Sequence, residues 1–487
     1  MTASTNGTTP REDTYDWVPL NAWNQFAPRS YNRFLLCFEV PNEKQAAAIS
    51  HIKSCAVKLG EYHPVLKSFL KVDDPIACMD IAVRYDIPVE VHDIKEKIGA
   101  TYAHMKERGF PASEFVGPVF DVAGGGIIHS LILRIYIVDG GLLLGIHLHH
   151  TLGDGKAIDN IITWFSAETR GDPHDTRSVL FESVFDRQYD HPGEVADHPL
   201  TPEYISQKIP ERRLVSTTLS FDRVNSKWTG KIFVFSLTTI VAMQNHLQQL
   251  GNVGRPSTSV ILMALLWAYT VKARTAASLV PNATAPMHGE PVNDEADHAR
   301  LLTIVDARGR VFCEEQSQRY FGNAAEVALA KLPTADLLKA CERTTPVTDL
   351  GIVAKQLEPI FRTVQGSIEA VDYNSMLQRH VLYVRLPDPR KLVFDLSPED
   401  TRSFVFNSWR YLGMNAGQEW NITGTDGAGY PDAIRRAGGQ WNWPAAVFLP
   451  TRPGSGELQV MITVEEDAME LLLKDEGLMG LVARVIY

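Results

Sequence analysis

Residues 142–155 read LLLGIHLHHTLGDG, and this stretch decides the fold. The apolar run from Leu142 to His149 has strand length, and the similar run Leu131 to Val138 lies just before it. Asp139-Gly140-Gly141 separates the two, and Asp and Gly accept the positive φ of a tight hairpin. Period-two alternation puts His147 and His149 on one face and His150 on the other. Gly153 and Gly155 break the strand. Lys156 to Glu168 then reads as a helix, with Ile158, Ile161, Ile162 and Phe165 at helical spacing. The pattern H-H-x-x-x-D-G therefore sits at a strand-to-helix turn. A histidine there, facing a cleft, has the chemistry of a general base.

Outward from this turn the chain alternates strand and helix patterns. A strand is expected at Tyr31 to Val40, an amphipathic helix at Glu43 to Leu59, and strands at Val65 to Val72 and Ile81 to Tyr85. Residues 170 to 215 are rich in Asp, His, Pro and Arg and read as a long crossover linker, with a short helix within Leu180 to Tyr189. Strands follow at Thr217 to Phe221, Lys231 to Leu237, Leu301 to Asp306, Phe404 to Trp409 and Glu457 to Val464. Helices are expected at Thr238 to Gln249, Ser257 to Lys272, Leu332 to Arg343, Thr348 to Leu377 and Asp467 to Lys474. Ser257 and Thr258 are placed to cap the second of these, which is apolar nearly all round. Residues 1 to 14 read as a tail and Met287 to His298 as a polar surface loop. The fold class expected is α/β, with residues 15–200 as an N-terminal half and 215–487 as a C-terminal half. A crossover segment near 425–450 would complete the first half.

The chain of 487 residues is 45% hydrophobic and 22% charged, a globular composition with ample core. A net charge of -11 argues against a protein that tracks nucleic-acid phosphates. Five cysteines at 37, 55, 78, 313 and 341 show no metal-binding spacing and read as buried free thiols in a reducing compartment. Neither a secretory signal nor a membrane span is expected, so the sequence reads as a cytoplasmic protein without a membrane partner.

Several further segments carry a family resemblance. Pro28-Arg29-Ser30-Tyr31, His63-Pro64-Val65-Leu66, His149 to Gly155, Val305-Asp306-Ala307-Arg308-Gly309-Arg310, Tyr320-Phe321-Gly322-Asn323-Ala324 and Ser408-Trp409-Arg410 occur in this order. In order and content they resemble the BAHD acyl-CoA-dependent acyltransferases, in particular the fungal branch with trichothecene and ergot-alkaloid O-acetyltransferases. The resemblance implies two similar mixed-sheet halves of the chloramphenicol-acetyltransferase kind, joined by a long linker, with the active site at their interface. One segment departs from the family. Where it carries D-F-G-W-G, this chain has Thr425-Asp426-Gly427-Ala428-Gly429, ahead of Pro431 and Arg435. In the family that aspartate ties the crossover loop to the second half.

The resemblance implies a role for each motif residue. His150 is the general base, and Asp154 pairs with an arginine, Arg308 first and Arg310 as fallback, to hold the turn. Gly155 lets the chain enter the helix. Trp409 and Asn407 supply N–H donors to the oxyanion of a tetrahedral intermediate, although Trp409 also suits a core aromatic. Ser257, Thr258 and Arg255 lie near the pantetheine or phosphate end of acyl-CoA, with helix capping as the plain alternative. Trp17, Trp23 and Phe26 suit the acceptor side or a packed N-terminal segment, while His147 and His149 read as packed histidines. The expected activity is transfer of an acyl group, acetyl first, from acyl-CoA to a hydroxyl of a fungal specialised metabolite. Acyl-CoA is a cosubstrate, no permanent cofactor or metal is expected, and the enzyme is expected to be a monomer. Two other readings share these residues: a same-fold condensation or cyclisation without CoA, and a noncatalytic small-molecule binder.

Overall fold

A computed structural model describes residues 15–82, 85–122, 126–173, 198–216, 227–251, 255–278, 298–342, 349–439, 441 and 443–487. The expected tail, the helix within Leu180 to Tyr189, the strand at Thr217 to Phe221 and residues 287–297 of the expected loop lie outside these residues.

The hairpin forms as read, with strands Leu131–Val138 and Gly141–Leu148 and Gly140 at φ +79 in its turn. It is the centre of a five-stranded sheet. Phe34–Glu39 pairs antiparallel with Gly141–Leu148, Ala433–Arg436 pairs antiparallel with Phe34–Glu39, and Val89–Asp93 runs parallel to Leu131–Val138. The Leu142–Leu148 run is apolar at nearly every position because both faces are covered. Leu142, Leu144 and Ile146 pack toward the helices Gln45–Tyr62 and Gly155–Arg170, while Leu143 packs with Tyr102, Phe115 and Tyr136 on the opposite side.

A second, seven-stranded mixed sheet is ordered Ala325–Pro333, His298–Asp306, Ser403–Ser408, Ala445–Leu449, Glu457–Glu465, Trp228–Ser236 and Val482–Ile486. Its core encloses Thr258–Ser278. This is the one helix among the described residues long and apolar enough to cross a bilayer, and it is mostly buried inside the protein. The architecture is thus α/β with two mixed sheets. The crossover segment divides between them: Ala433–Arg436 extends the first sheet and Ala445–Leu449 enters the second.

Other elements differ from expectation. The stretch Val65 to Val72 is a 3-10 turn, Pro64–Lys67, followed by a short strand, Phe69–Lys71. Residues 83 and 84 of the expected strand Ile81 to Tyr85 lie outside the described residues; the strand seen here is Cys78–Asp80, pairing on both sides in a small four-stranded sheet. In place of the helix expected from Leu332 to Arg343, the described residues hold the end of the strand Ala325–Pro333 and a shorter helix, Thr334–Ala340, and Arg343 lies outside the described residues. The sequence AEVALAKLP favours helix locally, but pairing along the whole length of His298–Asp306 overrides that propensity. The expected linker contains the helix Pro202–Lys208, capped by Thr201 with proline at its first position, and the strand Arg212–Leu214. Of the five cysteines, Cys37, Cys55 and Cys341 are buried, whereas Cys78 is half-buried and Cys313 exposed.

Candidate active site

The strand Gly141–Leu148 ends one residue short of the histidine pair, and from there to the helix every side chain has a distinct task. His149 is sealed, with Nδ1 2.7 Å from the Thr151 hydroxyl. His147 is also sealed: its ring fills the space beside Gly145, where a Cβ would come within 2.5 Å of Nε2. Burial pushes its pKa down to about 3, so it stays neutral. Both are packing residues. His150 differs. Its backbone is fixed at both ends, the N–H donating to Ser30 O at 2.8 Å and the carbonyl accepting from Asn323 Nδ2 at 2.7 Å. Its Nδ1 is buried with no hydrogen-bond partner among the described residues, and the ring lines a cavity. Burial lowers its pKa, which keeps the imidazole neutral and able to accept a proton.

Asp154 anchors the corner. It is the N-cap of Gly155–Arg170, with Oδ1 accepting from Lys156 N at 3.0 Å and Ala157 N at 3.2 Å. The buried Arg308 grips it bidentately, Nη1 to Oδ2 and Nη2 to Oδ1, each at 2.9 Å, and Ala324 N donates to Oδ2 at 3.0 Å. Burial opposes the carboxylate's charge, but Arg308 and these donors outweigh it and hold its pKa below the ordinary range. Arg308 also donates to Gly322 O at 2.8 Å. Arg310, the fallback partner, instead binds the carbonyls of Ile368 and Val371. A Cβ on Gly155 would press on Leu412 at 3.3 Å.

The cavity, about 590 Å³, spans the gap between the turn and the second sheet. His150, Asp154, Gly155, Arg308, Asn407 and Trp409 all line it. Trp409 is stacked on Phe34 with ring centroids 4.0 Å apart, so a first-sheet strand fixes an aromatic of the second half. Its indole N–H meets no acceptor among the described residues. The Asn407 carbonyl oxygen accepts from Ser408 N at 2.8 Å, which orients the amide and leaves its NH2 free. A neutral base and two uncommitted N–H donors thus line one cavity.

Ser257, Thr258 and Arg255 do not line the cavity. Ser257 Oγ accepts from Val260 N at 3.2 Å, which is helix capping, and Arg255 is exposed. Thr258 connects indirectly: its hydroxyl accepts from Arg410, a lining residue whose guanidinium also sits over Phe448. Of the aromatics expected on the acceptor side, Trp23 and Phe26 line the cavity and Trp17 does not.

The crossover loop is held without the missing motif. Asp426 reaches Lys44 of the first half at 2.9 Å. Asp432, six positions on, makes the tie to the second half, pairing with Arg452 as well as with Lys106 at 3.0 Å. Tyr102 donates to the same carboxylate at 2.8 Å. Sequence reasoning did not single out Asp432, nor the cavity residues Glu326 and Arg212, which sit outside any linear motif. Asn323 was visible only as part of a motif, without its role on the His150 carbonyl.

Comparison with known proteins agrees with this geometry. The profile of the Transferase family matches residues 132–479. An eremophilane O-acetyltransferase of Penicillium roqueforti (strain FM164) is 23% identical over 505 residues, spanning 93% of this chain and 96% of its own. The acyltransferase easC of Emericella nidulans is 22% identical over 492 residues, spanning 95% and 94%. Among solved structures, F. graminearum TRI101 complexed with coenzyme A and deoxynivalenol superposes with a TM-score of 0.73 at 16% identity, covering 97% of this chain and all of that one. Vinorine synthase superposes with a TM-score of 0.58 at 16% identity, covering 97% and 95%.

Proposed function

This chain belongs to the Transferase family, the BAHD-type acyltransferases, and from that premise we propose that it moves an acetyl group from acetyl-CoA to a hydroxyl of a lipophilic specialised metabolite. His150 is the general base. It takes the acceptor's proton as the oxygen attacks the thioester carbonyl. Asn407 and Trp409 donate to the oxyanion that develops on that carbonyl. The imidazolium of His150 then returns the proton to the departing CoA thiolate, so acceptor and CoA exchange an acyl group for a proton and the enzyme ends as it began. Asp154 and Arg308 do not move protons; they hold the turn that presents the base.

The observation that carries this reading is a neutral imidazole lining the same cavity as Asn407 and Trp409, whose N–H groups have no acceptor among the described residues. The relatives named O-acetyltransferase support oxygen as the nucleophile and acetyl as the group transferred. The test is thiol release from acetyl-CoA in the presence of a panel of hydroxylated terpenoids, alkaloids and polyketides, with the ester product identified by mass. The expected result is acceptor-dependent release. Condensation without CoA is favoured instead if no CoA thioester supports turnover and none raises Tm.

A further inference from the structure

The cavity carries a second feature that the acyl transfer does not use. Arg212 lies at one flank of it, 9% exposed, on the strand Arg212–Leu214 directly opposite Phe394. That cross-strand pairing sets the guanidinium over the Phe394 ring at 4.4 Å from its centroid, with Phe26 and Tyr383 at 5.7 and 5.9 Å. Its Nη1 donates to Leu392 O at 3.3 Å. Its Nε is buried without an acceptor, and no carboxylate pairs with it among the described residues. The neighbouring acids are already engaged. Glu326 accepts from Trp23 at 2.8 Å and from Arg379 and Tyr383, and Glu211 is gripped by Arg379. The two acids balance the two arginines of this cluster, but Arg379 takes their oxygens, so Arg212 is left beside the ligand cavity with no carboxylate at hydrogen-bond distance and donor capacity to spare.

We propose that Arg212 binds a carboxylate on the acceptor, so that the acceptor class is a hydroxylated, largely apolar carboxylic acid. This deepens the acyltransfer reading and rests on the acceptor entering this cavity. The walls around Arg212 are aromatic, which suits a flat or polycyclic body, and Nη2, with no acceptor among the described residues, leaves the open end of the guanidinium fork for a carboxylate. Of the other cations on the lining, Lys156 is paired with Asp159 and Arg308 with Asp154, while Arg410 sits over Phe448 of Ala445–Leu449 and donates to Thr258. Arg410, which no carboxylate pairs with among the described residues, is the candidate for the CoA phosphates.

The experiment uses 2-naphthoate, its methyl ester and CoA as probes of the full-length protein by thermal shift and titration calorimetry. The proposal expects 2-naphthoate to bind and raise Tm, the ester to bind at least tenfold more weakly, and Arg212→Met to erase that difference. Arg212→Lys, which keeps the charge and loses the fork, should retain part of the preference, so a folding defect in Arg212→Met does not decide the matter. CoA should bind beside 2-naphthoate without displacing it. Equal binding of acid and ester, no binding of either, or displacement by CoA would overturn the proposal. His150→Ala should lose acyl transfer and keep 2-naphthoate binding, which separates failure of this proposal from failure of the acyltransferase reading.

Discussion

Two side chains four residues apart, His150 and Asp154, live under opposite rules. Asp154 is saturated: two guanidinium contacts and three backbone N–H groups occupy its oxygens. His150 is left open, its backbone pinned at both ends and its ring Nδ1 without a partner among the described residues. The contrast teaches how a reactive group is made stable. The enclosed, fully bonded carboxylate fixes the turn, and the turn presents the imidazole at the cavity. The two residues should therefore fail in different ways when altered.

Arg308→Met tests the saturated side and should have the largest effect. It strands a buried carboxylate, so stability should fall by about 3–5 kcal/mol, read by chemical denaturation, with activity lost alongside. The pair Asp154→Leu with Arg308→Met should recover part of that stability and none of the activity, because it removes the stranded charge but also the cap that satisfies Lys156 N, Ala157 N and Ala324 N. Trp409→Phe keeps the stack on Phe34 and removes the indole donor. It should lower kcat by about 10²-fold with little change in Tm, the signature of the open side. A fall in Tm equal to that of Arg308→Met would remove the distinction.

The pH profile sharpens the comparison further. Burial sets the folded His150 pKa below the ordinary 6.5, so the fold holds fewer protons there than the unfolded chain. The base form therefore persists as pH falls, and the acid limb of kcat/KM should lie below 6.5. The sign for stability is the reverse of a salt-bridged histidine: this group's contribution is intact above the unfolded value and is lost as pH drops through it toward the folded one. An acid limb above 6.5 would contradict burial as the governing influence. The smallest effect belongs to Asp426→Ala. Its pair with Lys44 is exposed, and no measurable change in Tm or kcat is expected. Asp432→Ala, which removes the tie to Arg452, should lower Tm clearly.

The elements that build this contrast were largely legible in the sequence. The hairpin, the turn and the helix after Asp154 rest on local signals: a Gly-centred turn, a glycine break and 3.6-residue spacing. Arg308 as the partner of Asp154 came from family resemblance, since 154 positions separate them and no local rule joins them. Ala325–Pro333 was not legible, because its helix-favouring residues become a strand only through the neighbour they pair with. Arg212 and Glu326 stayed hidden for the same reason, being brought to the cavity by tertiary contacts. The misread stretch after Pro64 shows the limit in miniature: an apolar run following a proline made a 3-10 turn before it made a strand.

The most direct measurement is steady-state acyl transfer by His150→Ala beside its thermal unfolding. General-base catalysis predicts a loss of about 10²–10⁴-fold in kcat with Tm close to that of the unaltered protein, since the fold is held by this residue's backbone and not by its ring. Acyl transfer at the unaltered rate would contradict the account, whatever the fold of the variant.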